Sequence, residues 1–117
     1  MQIMRLDRSD ERFYALMGPI FGSRAVEKAC RDRFYDDPGK RWYLIPGRGA
    51  ASILEGTIKN FWADDGEAAA ALIGAMLQDC DPVRGILSDA HESVFRALNF
   101  RVERYRKHFI EVYPERD

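Results

Sequence analysis

The 117-residue sequence contains 18 Lys and Arg residues against 19 Asp and Glu residues, which gives a formal net charge of −1 at pH 7. Because the charges are so nearly balanced, no strong overall field attracts nucleic acid or an anionic membrane, and we expect neither as a partner. The length and the 46% hydrophobic content are those of one globular domain, which we expect to span residues 1–117. The longest apolar run, residues 68–77, is too short to cross a bilayer.

Two features of the sequence concern the cellular compartment. The N-terminal segment, residues 1–12, lacks the apolar core of a signal peptide. Cys30 and Cys80 are the two cysteines, and two thiols in a chain that is not secreted are more often reduced than paired. We therefore expect a cytoplasmic protein with free thiols.

The N-terminal third is predicted to form a short strand followed by two helices. The strand covers residues 2–6, and Ser9 or Asp10 is placed to cap the first helix. Pro19 should stop or bend that helix, since proline clashes with the preceding turn. Ser23 is placed to cap the second helix, whose apolar residues fall on one stripe.

The middle of the chain is predicted to form three strands joined by tight hairpins. They cover residues 42–45, 50–55 and 57–63, with a proline- and glycine-rich turn before the second strand and Gly56 as the link before the third. An acidic joint, residues 64–67, then leads into an alanine-rich helix over residues 68–78.

The C-terminal part is predicted to contain a buried strand, a helix and a closing hairpin. The strand covers residues 83–87, and Asp89 with Glu92 forms a capping box for a helix through Leu98. Asn99 suits a left-handed helix end, and residues 100–105 and 109–113 form the hairpin. The order β, α, α, β, β, β, α, β, α, β, β predicts a mixed sheet with helices on both faces.

Two segments of this chain resemble the GNAT superfamily of acetyl-CoA-dependent N-acetyltransferases. Residues 94–102, VFRALNFRV, resemble that family's "LYxxLGFxx" segment, and residues 104–109 resemble its closing hairpin. Residues 57–77 take the place of its central strand, pyrophosphate loop and following helix. The resemblance implies an α/β (α+β) fold with a GNAT-like mixed, mostly antiparallel sheet. It also implies acetyl transfer from acetyl-CoA to a primary amine by direct attack.

The resemblance places the acetyl-CoA site where the central strand meets the next helix. The pantetheine arm would bind the backbone of Phe61, Trp62 and Ala63, and the phosphates that of Gly66, Glu67, Ala68 and Ala69. The family's loop reads Arg/Gln-x-x-Gly-x-Gly/Ala, and its three defined positions fall here on Asp64, Glu67 and Ala69, of which only the last fits. Acids repel a diphosphate, but they suit an unoccupied helix N-terminus.

The catalytic groups implied by the resemblance are also altered. Many members protonate the leaving thiolate with a tyrosine, and the matching position is Phe95. His91 and Tyr105 are the alternative acids, and Glu55 is the nearest strand carboxylate that could serve as the base. Each has a structural alternative: a solvated histidine, a half-buried strand aromatic and an exposed charge at a hairpin end.

Two functions of different class therefore remain open. The first is an acetyltransferase that acts on a small-molecule or peptide amine, and the second is a catalytically degenerate GNAT fold that serves as a binding or assembly module. Asn60 and Trp62 share one face of their strand, where they line an acceptor pocket or pack against a helix. We expect no metal site. The chain also has basic and acidic segments of opposite charge, which are compatible with the pairing of two copies as a homodimer.

Overall fold

One seven-stranded sheet runs through residues 1–81 and 83–115, the part of the chain that this computed structural model describes. The strands are β1 (Met4–Leu6), β2 (Arg41–Ile45), β3 (Gly49–Leu54), β4 (Thr57–Ala63), β5 (Arg84–Ser88), β6 (Phe100–Arg106) and β7 (Phe109–Pro114). Their order across the sheet is β1-β2-β3-β4-β5-β7-β6. Neighbouring strands are antiparallel except for the parallel pair β4 and β5, so the predicted mixed, mostly antiparallel sheet is confirmed.

Within the described residues, four α-helices cover the two faces of the sheet. They are α1 (Phe13–Phe21), α2 (Arg24–Cys30), α3 (Gly66–Asp79) and α4 (Glu92–Ala97). Successive residues of a strand point to opposite faces, so Trp42 belongs to the apolar cluster that includes residues of α1 and α2, whereas Tyr43 belongs to the cluster that includes residues of α3 and α4. The prediction of helices on both faces is confirmed. No helix in residues 1–81 and 83–115 has the length and apolar character needed to span a bilayer.

The N-terminal helices differ from the prediction at two points. The N-cap residue of α1 is Arg12, which makes no side-chain capping bond, rather than the predicted Ser9 or Asp10. Pro19 lies inside α1, which continues to Phe21, so of the two outcomes predicted there, a stop or a bend, the stop does not occur. Ile20 is buried with Phe13 and Met17, and this continued burial holds the helix together beyond the proline. The prediction for α2 is confirmed, because the Ser23 hydroxyl accepts a hydrogen bond from the amide of Val26 at 3.1 Å.

Turn chemistry explains two further differences. The turn between β3 and β4 contains two residues, Glu55 and Gly56, with φ of 52° and 79°, rather than the glycine alone. The predicted capping box at Asp89 is absent, because that carboxylate binds Arg104 at 2.8 Å and the hydroxyl of Ser88 accepts the capping bond instead. A short 3-10 turn, Asp89–His91, therefore precedes α4.

Candidate functional site

The two parallel strands in the centre of the sheet separate after a short pairing. β4 and β5 are paired at Thr57 with Arg84 and at Ile58 with Gly85. The register against β3 shifts at the next residue, so Lys59 is an extra residue in β4. Such a bulge bends its strand, and it accounts for the divergence that follows. We call the opening between residues 59–63 and residues 86–88 the β4/β5 gap.

Backbone groups of β4 alternate between the β3 side and the gap. The amide of Asp64 donates to the carbonyl of Arg48 at 2.8 Å, which places Asp64 on the β3 side. Ala63 faces the other way, and its carbonyl accepts a hydrogen bond from Nε2 of His91 at 3.1 Å. By alternation the backbone of Phe61 also faces the gap, whereas Trp62 faces β3. His91 thus occupies one of the predicted pantetheine contacts.

The chain itself occupies much of the start of α3, where a diphosphate would bind. Asp65 is the N-cap residue, and its carboxylate accepts the amide of Ala68 at 2.9 Å. The main-chain carbonyl of Asp65 accepts the amide of Ala69 at 3.0 Å. Ala68 and Ala69 are both 0% exposed, so two of the four predicted phosphate-binding residues have protein partners and no solvent access.

Arg48 gathers the acids at the start of α3 into one cluster, which we call the Arg48 clasp. The guanidinium lies 3.2 Å from Asp64, 2.7 Å from Asp65 and 3.5 Å from Glu67. The pKa of Asp65 is lowered, first by its bond from the Ala68 amide and then by Arg48. One cation against three carboxylates leaves the clasp with a formal charge of −2.

Helix α4 narrows the same site from the other side. A Cβ added to Gly66 would lie 3.5 Å from a methyl carbon of Val94. Phe95 is fully buried, and its ring packs against Phe61 at 5.4 Å and Phe100 at 5.2 Å between centroids. Aromatic packing therefore surrounds the residue that stands, by the resemblance to the GNAT superfamily, in the place of that family's tyrosine.

The three predicted catalytic residues lie in different places. His91 is partly buried at the gap beside Phe61 and Ala63. Glu55 is exposed in the turn before β4, which spans about 20 Å at roughly 3.3 Å per residue, so the structure does not bring it to His91. Tyr105 is 53% exposed near the β6–β7 turn. Their catalytic roles stay predictions.

A cavity of about 230 Å³ lies in the gap on the side of α2. Its lining includes the end of α2, the bulge of β4, the end of β5 and the β6–β7 hairpin; the side chains used below are those of Asp32, Lys59, Phe61, Arg106 and Phe109. Sequence reasoning missed this cavity, because its walls come from four elements distant in the sequence. A bulge also leaves no hydrophobic pattern by which it could be recognised.

A buried polar network supports one wall of the cavity. The side-chain oxygen of Asn60 accepts hydrogen bonds from Lys40 at 3.0 Å and from Ser52 at 2.6 Å. Its amide group donates to Asp32 at 2.9 Å. Lys40 also donates to the carbonyl of Tyr35 at 2.9 Å. Burial raises the pKa of the Asp32 carboxyl, while the Asn60 bond opposes that shift.

Comparison with known proteins gives no independent assignment. No family model matches the chain, and neither a curated protein nor a solved structure matches it. Among residues 1–81 and 83–115, no three His, Cys, Asp or Glu side chains are arranged to hold a metal ion. Cys30 and Cys80 are free thiols. The family assignment therefore rests on the resemblance of the residues themselves, and it enters below as a proposal.

Proposed function

We propose that this protein is a catalytically degenerate GNAT-like module that binds a ligand or partner without holding the diphosphate of coenzyme A. The support for the family part is the resemblance of residues 94–102 and 104–109 together with the order of helices and strands. The support for the loss of the coenzyme comes from the start of α3. A cytoplasmic location, in keeping with the two free thiols, is part of the proposal.

The observation that carries the proposal is the occupied N-terminus of α3. A helix N-terminus attracts anions through its free amides and its dipole. Here Asp65 already supplies the anion to the Ala68 amide, and the Arg48 clasp surrounds the remaining amides with a net negative charge. A diphosphate would have to displace the capping carboxylate and approach the other two acids, so its binding is unfavourable.

The packing around α4 supports the same conclusion. Proton donation to a departing thiolate needs an ionisable group, and Phe95 has none. His91, the nearest alternative, already donates its Nε2 proton to the carbonyl of Ala63. Both features favour a binding role over acetyl transfer.

The β4/β5 gap favours a second candidate function, an acetyltransferase. An extended chain with amide groups can pair with an open strand as an added strand does, and pantetheine is such a chain. The backbone of Phe61 faces this opening. In this second candidate the amine enters from the cavity side, and correct positioning supplies much of the rate increase.

Calorimetric titration with acetyl-CoA distinguishes the two candidates. We expect no binding heat and no thermal shift at millimolar acetyl-CoA. Binding at micromolar affinity would refute the degenerate module and support the acetyltransferase.

A charge-reversal variant tests whether the negative charge of the Arg48 clasp is what prevents coenzyme A from binding. Asp64→Arg removes the net negative charge of the clasp, and we expect it to gain measurable affinity for acetyl-CoA. Glu111→Arg, which makes the same charge change at an exposed position of β7, is the matched control and should gain none. Equal behaviour of the two variants would show that the clasp does not govern coenzyme binding.

A further inference from the structure

We propose that the cavity in the β4/β5 gap binds a small primary amine that carries one or more acidic groups, with its ammonium at Asp32 and its acidic groups at Lys59 and Arg106. This inference goes beyond the proposed function because it names the ligand class. It rests on that function only in treating the gap as a ligand site, and coenzyme A has no part in it.

The size of the cavity favours a small ligand. Its volume is about 230 Å³, below the roughly 300–1,000 Å³ that is usual for pockets that hold drug-sized ligands. A group of amino-acid size fits this space, and a larger ligand would extend into solvent. Phe61 and Phe109 supply apolar wall, which suits the short carbon chain between the charged groups of such a ligand.

Three cations that line the cavity, Arg31, Lys59 and Arg106, have no acidic partner among the residues that the structure describes. The ion pairs found there include none of the three. By contrast Arg104, on the same hairpin, contacts Asp89 at 2.8 Å and Glu92 at 3.5 Å.

The guanidinium of Arg106 is held in place by an aromatic ring. It lies over the ring of Phe109 at 4.7 Å, a cation–π arrangement that orders the side chain before any ligand binds. An ordered guanidinium loses less conformational freedom when it pairs with a carboxylate or phosphate, and its planar fork matches either group.

Asp32 gives the cavity its selectivity for an amine. One of its carboxylate oxygens is fixed by the hydrogen bond from Asn60, so the orientation of the carboxylate is set by a side chain that is 3% exposed. The half-buried carboxylate is poorly hydrated, and burial raises its pKa. None of the described ion pairs includes Asp32, so a ligand ammonium can pair with this carboxylate from the cavity side.

The test measures binding of L-glutamate, and in a separate titration of O-phosphoethanolamine, by calorimetry. Saturable binding of either probe is expected, and the better one shows whether carboxylate or phosphate is preferred. Glutarate, which lacks the amine, should bind roughly tenfold more weakly than L-glutamate, because it loses one charge-assisted hydrogen bond. Ethanolamine, which has the amine but no acidic group, should not bind.

Two variants locate the site and one serves as the control. Arg106→Gln should weaken the binding of L-glutamate and glutarate alike by roughly tenfold or more. Asp32→Asn should abolish the preference for L-glutamate over glutarate. Lys107→Gln, the same charge change at the exposed neighbouring residue in the turn, should leave both affinities unchanged.

The inference fails if neither probe binds saturably at 10 mM, a concentration on the order of the weakest specific small-ligand affinities. It also fails if binding survives Arg106→Gln or if Lys107→Gln weakens it equally. These results are independent of the acetyl-CoA titration, because a protein that binds coenzyme A can still bind L-glutamate in the cavity, and the reverse is also true.

Discussion

Replacement of Asn60 by alanine tests the polar network that holds the cavity wall. Asn60 is 3% exposed and makes three side-chain hydrogen bonds, with Lys40, Ser52 and Asp32. Asn60→Ala removes all three bonds at once and leaves a buried ammonium and a buried hydroxyl each short of a partner.

The expected loss of stability follows from the type of each bond. Hydrogen bonds to charged groups contribute about 1.5–3 kcal/mol and neutral ones about 0.5–1.5 kcal/mol. The full sum is not reached, because Lys40 keeps its bond to the Tyr35 carbonyl and Asp32 can be rehydrated from its exposed side. We therefore expect Asn60→Ala to lower the free energy of unfolding by about 3–4 kcal/mol.

Urea unfolding followed by tryptophan fluorescence measures this loss, with Ser52→Ala as the matched comparison. That variant removes one neutral bond of the same network and should cost about 1 kcal/mol. If Asn60→Ala costs no more than Ser52→Ala, Asn60 does not connect the charged residues and the described network is wrong.

Three further predictions concern the gap and its surroundings. Gly85→Ala should lower the free energy of unfolding, measured in urea, by about 1–3 kcal/mol, because the added Cβ would lie 2.9 Å from the Cβ of Ile58. Gly18→Ala is the control and should leave the free energy of unfolding unchanged, because no atom lies within 4 Å of its added Cβ. Equal losses in the two variants would contradict the tight packing of β4 and β5. Phe95→Tyr should lower the free energy of unfolding by about 1–3 kcal/mol, because it buries a hydroxyl. The same variant should release no thiol from acetyl-CoA, and turnover would contradict the assignment as a degenerate module. The raised pKa of Asp32 means that the folded state binds the proton of this carboxyl more tightly than the unfolded state does. The free energy of unfolding of the wild type, relative to that of Asp32→Asn, should therefore fall as the pH rises from about 3.9 through the raised pKa. A constant difference between the two proteins across that range would contradict the burial of this carboxylate.

Much of the fold follows from local patterns in the sequence. The apolar segment between Gly56 and the acidic joint predicted the bounds of β4, Thr57–Ala63, and the hydroxyl of Ser23 predicted the start of α2. Asn99 has the predicted left-handed conformation, with φ of 67°. These features depend on residues close together in the chain, so a single sequence reveals them.

The features that were missed depend on contacts between distant segments. Pro19 did not end α1, because Ile20 is buried beyond it, and Asp89 did not cap α4, because Arg104 binds its carboxylate. The candidate site shows the same limit. The acids before α3 were visible in the sequence, but Arg48 comes from the turn between β2 and β3, and its role needed the folded arrangement.

The most direct test of the central claim is an amide NMR titration at the start of α3. The amides of Gly66, Glu67, Ala68 and Ala69 are followed while coenzyme A is added to the wild-type protein. Because the chain already caps this helix and surrounds it with negative charge, we predict that the four signals do not shift. Saturable shifts of these amides would show that a diphosphate binds there and would contradict the account.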